Sequence, residues 1–255
     1  MFKIIIICLF PIIVLFTQIL SPLIVIVMGI VFLFGAIIFP NFRKIFLLFC
    51  FWIIGYLFWA YIVVYVSDIT SFSFGQKKIL SRLGLLSYVL FFSIWYKLQK
   101  PRNTFFKIGN GKEIIHFPFI WKGFKEIEWR FTLIFSLLWF CVAIIFAIKN
   151  GLEYNILIYG VIFSVINAII EEIIWRGFVL TRLIDLTSEK IALIVSSLSF
   201  GLYHYSLNFP LLICFTFAIG GFYIGGSAIK SKGLLSPIIM HITVNLAFVS
   251  MGIIN

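Results

Sequence analysis

Residues 164–182 read SVINAIIEEIIWRGFVLTR, with two adjacent glutamates and an arginine inside an otherwise apolar run. On insertion scales each charge at the centre of a membrane helix costs about 2.5–3.5 kcal/mol, so Glu171, Glu172 and Arg176 left unpaired would cost close to ~10 kcal/mol. Spacing supplies part of the compensation. Glu172 and Arg176 are four apart with the acid on the N-terminal side, the favoured orientation for a helical ion pair. Ser164, Asn167 and Glu171 share another stripe, which leaves Glu171 without a partner in its own helix. Further along, Ser197, Phe200 and His204 line one stripe of IALIVSSLSFGLYHYS. In the last apolar segment Pro237, His241 and Asn245 follow one another at intervals of four.

Buried ionisable groups in membranes face a bundle interior or a water-filled cavity. Three helices turning these stripes toward one another would solvate Glu171, His204, His241 and Asn245 together. A carboxylate and an imidazole jointly hold a water and remove its proton, which is general-base hydrolysis. A second imidazole and a carboxamide donate hydrogen bonds to a tetrahedral oxyanion. The set Glu171, His204 and His241 would equally suit Zn²⁺, whose bound water would be the nucleophile. Sequence leaves the Zn²⁺ and metal-free schemes open, and both hydrolyse an acyl bond.

Other chemistries fit less well. A serine route through Gly225-x-Ser227 and His241 leaves the glutamates unexplained. No H-E-x-x-H is present, and Asp68 and Asp185 both sit near segment ends. A non-proteolytic class stays as the alternative: an immunity factor, a scaffold, or a proton-coupled transporter using Glu171 and the histidines as proton sites. A transporter would more often repeat its pattern in two halves, and the first half has no counterpart to the glutamate pair.

The elements that must position these residues are membrane helices. The 255 residues are 63% hydrophobic and 11% charged, where a soluble domain has about 25% charged. Apolar segments run at about 4–20, 22–39, 45–66, 79–97, 131–148, 154–182, 190–205, 209–228 and 234–252. The fold class is therefore all-α, a polytopic integral membrane bundle of about 8–9 transmembrane helices. Residues 1–130 form N-terminal helices ending in a basic aromatic loop, and 131–255 hold everything polar. The start, MFKIIIICLFPIIVLF, is expected to be a retained first span. The four cysteines fall in apolar runs without CxxC spacing and read as core or lipid-facing residues.

The net charge of +11 is distributed as membrane topology requires, which argues against nucleic acid. With the N-terminus cytoplasmic, Arg43/Lys44, the 97–130 loop, Arg182/Lys190 and Lys230/Lys232 fall inside, while 149–153 and 206–210 fall outside. Lys77 and Lys78 break the pattern. The 99–130 loop mixes Lys and Arg with Phe105, Phe106, Phe117, Phe119, Trp121 and Phe124, a composition suited to an anionic leaflet. His116 within it reads as a solvated loop histidine. A multi-pass plasma-membrane protein is expected.

Glu171-Glu172-x-x-x-Arg176, Phe200-x-x-x-His204 and His241-x-x-x-Asn245, in that order on successive apolar segments, resemble the three motifs of the CPBP intramembrane proteases. That family includes type II CAAX-prenyl endopeptidases and proteins linked to bacteriocin processing and immunity. The resemblance covers roughly residues 131–252. It implies an all-helical endopeptidase acting on a membrane-associated peptide or protein. In it Glu171 and His204 would activate water, His241 and Asn245 would stabilise the oxyanion, and Glu172, Arg176 and Phe200 would support the site. The family has been described both as metalloproteases and as metal-free glutamate proteases. One geometric demand follows: His204 lies near the end of its segment and His241 a few residues into its own. One helix must therefore be tilted, short or broken, with Gly220-Gly221, Gly225-Gly226 and Pro237 as places for a break.

Overall fold

The computed structural model describes residues 2–69, 71–101, 104–128, 130, 132–151 and 154–253. With no water in a bilayer core, each apolar run must satisfy its backbone internally, and helices result. In chain order they are α1 (Phe2–Cys8), α2 (Phe10–Ile19), α3 (Pro22–Ile38), α4 (Arg43–Ser67), α5 (Phe74–Leu83) and α6 (Leu86–Leu98). A hairpin of β1 (Ile114–Pro118) and β2 (Gly123–Glu128) follows. The second half holds α7 (Thr132–Lys149), α8 (Tyr154–Glu172), a π-helical segment (Ile173–Leu180), α9 (Thr181–Leu186) and α10 (Glu189–Tyr203). It ends in a 3₁₀ turn (His204–Leu207), α11 (Leu211–Ser231) and α12 (Leu235–Ser250).

Five stretches are long and apolar enough to cross a membrane: Phe2–Ile19, Pro40–Ser67, Gly75–Leu98, Ile158–Leu186 and Leu211–Ser231. Three shorter apolar helices, Pro22–Ile38, Leu133–Lys149 and Leu235–Ser250, complete the set among the described residues. Large apolar side chains are exposed along most of the helices. On α3, only Val25 and Ala36 are buried, while Leu23, Val31 and Ile37 are exposed, as on a peripheral helix facing lipid tails. The turn read as the outer 149–153 loop lies partly outside the described residues.

The core is aromatic and joins the two halves. Trp52 of α4 packs on Tyr88 of α6 at 4.8 Å and on Trp175 of the π segment at 4.9 Å between ring centroids. Tyr203, the last residue of α10, meets Trp52, Trp59 and Trp175 edge-on or tilted, at 5.8–5.9 Å. Such pairs contribute about 0.5–1.5 kcal/mol each beyond their area. Phe92, Phe106 and Phe178 extend the cluster toward the polar loop.

That loop is less detached than its composition suggests. Leu234 N–H donates to Lys107 O at 2.9 Å, and Asn110 N–H to Ser231 O at 2.7 Å, which ties the loop to the α11–α12 turn. A Cβ on Gly233 would run into the backbone of Gly109, so glycine is needed where the strands of chain cross. His116 lies on β1, paired with Glu126 of β2 at 3.5 Å and about one-third exposed. Arg182, counted above with the cytoplasmic basic clusters, is buried. Its guanidinium carbon lies 4.3 Å from the Trp95 ring centroid, and Nη2 donates to Gln99 O at 2.7 Å.

The helices carrying the motifs stand together. α10 packs along α11, and α12 lies against α7, α8 and α11. Gly201 permits the α10–α11 approach, since a Cβ there would strike Cys214 O and Ala218. α11 runs unbroken through both glycine pairs, and Pro237 sits in the first turn of α12, where proline is tolerated. The expected breaks are absent from those places. The demand is met by length instead: α10 has 15 residues, about 22 Å at 1.5 Å per residue, shorter than a ~30 Å hydrocarbon core. The 3₁₀ turn and the first turns of α11 extend beyond it, so His204 stacks on Phe217, well inside α11, at 4.3 Å.

Candidate active site

The three motifs line one cavity of about 360 Å³. α8 contributes Phe163, Asn167 and Glu171, α10 and the turn after it contribute Phe200 and His204, and α12 contributes Met240, His241 and Asn245. Rings of α7, α11 and α12, including Phe135, Trp139, Phe217 and Phe248, make the remaining walls strongly apolar. Glu171, Glu172 and Arg176 are at most 1% exposed. Glu172 and Arg176 stand behind the wall.

Glu172 is the organising anion. Its Oε1 accepts from Arg176 Nη1 and lies within hydrogen-bond distance of His241 Nδ1, each at 2.7 Å. The sequence pairing with Arg176 is thus present, and a second bond across to α12 accompanies it. Arg176 is further held by Gly221 O, to which Nη2 donates at 3.1 Å, and by the face of Phe200, 4.7 Å from its guanidinium carbon. Phe200 also meets the rings of His204 at 4.8 Å and His241 at 5.8 Å. One aromatic ring therefore touches the cation and both imidazoles.

Hydrogen-bond partners fix the imidazole protons. His204 Nδ1 lies 2.8 Å from Phe200 O. A carbonyl only accepts, so Nδ1 carries the hydrogen and Nε2 presents a lone pair. His241 Nδ1 faces a carboxylate and likewise carries its hydrogen, leaving Nε2 toward Glu171 Oε2 at 3.7 Å. His241 can then donate from Nε2 only as an imidazolium; neutral, it accepts. Asn245 has no such restriction. Its Nδ2 is buried without a hydrogen-bond partner, as are Glu171 Oε2 and Asn167 Oδ1. Buried polar atoms without partners are uncommon, and these three line a cavity, where a water or another molecule can bond to them.

Two residues of the site were not anticipated. Arg82, the last-turn cation of α5, lines the cavity with Nη1 3.7 Å from Glu171 Oε1. Its signal in the sequence is a charge inside the apolar segment 79–97. Gln18 of α2 brackets the His204 turn: Nε2 donates to Leu202 O at 3.1 Å, and Oε1 accepts from Ser206 N–H at 2.6 Å. A lone glutamine at a helix end carries no sequence signal of that role.

Zn²⁺ was open on sequence. Among the described residues no group of three or more His, Cys, Asp or Glu is placed to hold a metal ion, and Glu171, His204 and His241 do not close into such a set.

Fold and cavity together define a polytopic helical membrane protein with an acid–imidazole–amide site inside its bundle. Residues 153–247 match the family model Rce1-like, described as type II CAAX prenyl endopeptidase Rce1-like. All three motifs lie within the match, which bears out the resemblance to the CPBP family. Residues 1–152 lie outside it. No curated protein and no solved structure matches the chain.

Proposed function

We propose that this protein is an intramembrane endopeptidase that hydrolyses a peptide bond in a membrane-associated peptide or protein. The observation that carries the reading is the pairing of two unpartnered buried atoms, Glu171 Oε2 and Asn245 Nδ2, on the wall of one cavity with the lone pair of His204 Nε2. A general base, a water-holding acceptor and an oxyanion donor are the parts acyl hydrolysis requires.

In this mechanism a water bonds to Glu171 and to His204 Nε2. Glu171 takes its proton as the oxygen attacks the scissile carbonyl. The carbonyl oxygen becomes an oxyanion, held by the Asn245 N–H and, when protonated, by His241 Nε2–H. The intermediate collapses, the C–N bond breaks, and Glu171 returns the proton to the leaving amine. Glu172 and Arg176 fix the His241 ring and hold α8 against α11 and α12. The aromatic walls select apolar residues flanking the scissile bond. A plasma-membrane location with a cytoplasmic N-terminus belongs to the same proposal and rests on the distribution of Lys and Arg.

The test is comparative mass spectrometry of peptides from host membranes and medium, for cells carrying the wild type or Glu171→Gln at matched expression. A peptide shortened only by the wild type establishes proteolysis and names its substrate. Identical peptide profiles, with the biological phenotype intact in the variant, point instead to a binding or immunity role.

A further inference from the structure

We propose that Arg82, outside the matched segment and outside all three motifs, is a positioning residue for Glu171; this deepens the protease reading and rests on it. Charge balance gives the first reason. The buried acids Glu171 and Glu172 face only Arg176 within their own segment, so with His241 neutral the cluster carries one carboxylate more than it has cations. Arg82 brings the second cation, and in a bilayer an unbalanced buried charge is costly.

Geometry gives the second. The two oxygens of Glu171 have different neighbours: Oε1 lies 3.7 Å from Arg82 Nη1, and Oε2 lies 3.7 Å from His241 Nε2. A carboxylate tethered through one oxygen keeps the other turned into the cavity. Arg82 Nη1 is buried and makes no hydrogen bond, and Glu171 is its ion-pair partner among the described residues. The guanidinium carbon lies 5.6 Å from the centroid of Phe163, two turns before Glu171 on the same face of α8.

The third reason is that α5 is built to hold this side chain in place. Ser73 and Gln76 form a reciprocal capping box at its start. At its other end Trp59 Nε1 of α4 donates to Ser81 O at 3.1 Å, next to Arg82. Arg82 also sits in the last turn, where the helix dipole favours a cation. The catalytic unit therefore extends into the N-terminal half.

The experiment is a double-mutant cycle on the full chain in detergent or liposomes, with R82Q, E171Q, R82Q/E171Q and R82K. On a processed peptide, R82Q is expected to lower kcat on the order of 10²-fold with KM little changed, since misplacing a reacting group by about 1 Å costs that much. R82K is expected to recover at least about tenfold of that loss. Added to E171Q, R82Q is expected to cost nothing further, because Arg82 acts through Glu171. Thermal melting supplies an arm that needs no turnover: the double variant is expected to melt higher than either single one, as two facing neutral amides replace an unpaired charge. If R82Q alone fails to fold, recovery of folded protein in R82Q/E171Q is the supporting result. Additive losses in melting and rate overturn the proposal, as does a rise in KM that persists in the E171Q background. A wild type that cleaves nothing defeats the protease reading, while the melting arm still decides the pairing.

Discussion

At the scale of single residues, Glu172 shows how one side chain serves two helices. Sequence spacing identified its bond to Arg176 but not its bond to His241, 69 residues on, because only tertiary packing brings α12 to that face. Replacing Glu172 by Gln keeps an acceptor for His241 yet leaves Arg176 buried without its anion. Breaking a buried pair in this way costs about 3–5 kcal/mol. Thermal melting of purified Glu172→Gln is expected to show a loss of that size, with Glu172→Gln/Arg176→Met recovering part of it. Equal melting of wild type and the single variant would remove Glu172 from its organising role. The periodic stripes of Asn167/Glu171, Phe200/His204 and His241/Asn245 were legible because a helix repeats its face every three or four residues. Arg82 and Gln18 were not, since each acts across a gap in sequence that no local period encodes.

At the scale of elements, the apolar runs located the helices to within a few residues because a bilayer leaves the backbone few alternatives. The β1–β2 hairpin has no such signature in the sequence. Its residues are mixed in polarity, and its pairing is a matter of backbone hydrogen bonds more than of pattern. The shortness of α10 was half legible: the demand for a tilted, short or broken helix came from the positions of His204 and His241, and the choice among the three from packing. A short helix needs its end fixed, and Gln18 does this from α2. Gln18→Ala removes both bonds and leaves Ser206 N–H unsatisfied, a loss of about 1–3 kcal/mol. Hydrogen exchange at the Ser206 amide is expected to accelerate in this variant while amides in the middle of α11 keep wild-type protection. Uniform acceleration would mean a global effect, and no change would mean the bracket is idle.

At the scale of the whole molecule, the polar and apolar cores adjoin. Trp175, one residue before Arg176, packs on Trp52 of the first half. A division at about residue 130 separates polar from apolar helices in sequence, yet Gln18, Trp52, Arg82 and Phe92 all reach across it. A chain beginning at residue 131 is therefore predicted not to accumulate as folded protein, and co-expression with residues 1–130 is predicted to rescue it. Size-exclusion chromatography in detergent checks both statements. A monodisperse fragment on its own would show that the helices carrying the three motifs need no outside partners.

The π-helical segment that begins immediately after Glu172 has a consequence for how tolerant this region is of insertions and deletions. Eight residues, Ile173–Leu180, take wider turns than the helices on either side. The polar face of α8 and the aromatic face centred on Phe178 thus belong to one rod wound with two pitches. Removing a single residue would let the rod rewind to a uniform pitch, easing the backbone locally. A deletion in the regular turns of α8, which have no surplus to give up, would instead rotate everything after it by about 100° relative to the residues before it, carrying Phe178 away from Phe92 and Arg182 away from Trp95. The wider pitch acts as a phase adjuster: it lets one continuous helix keep two faces, set by different neighbours, in register.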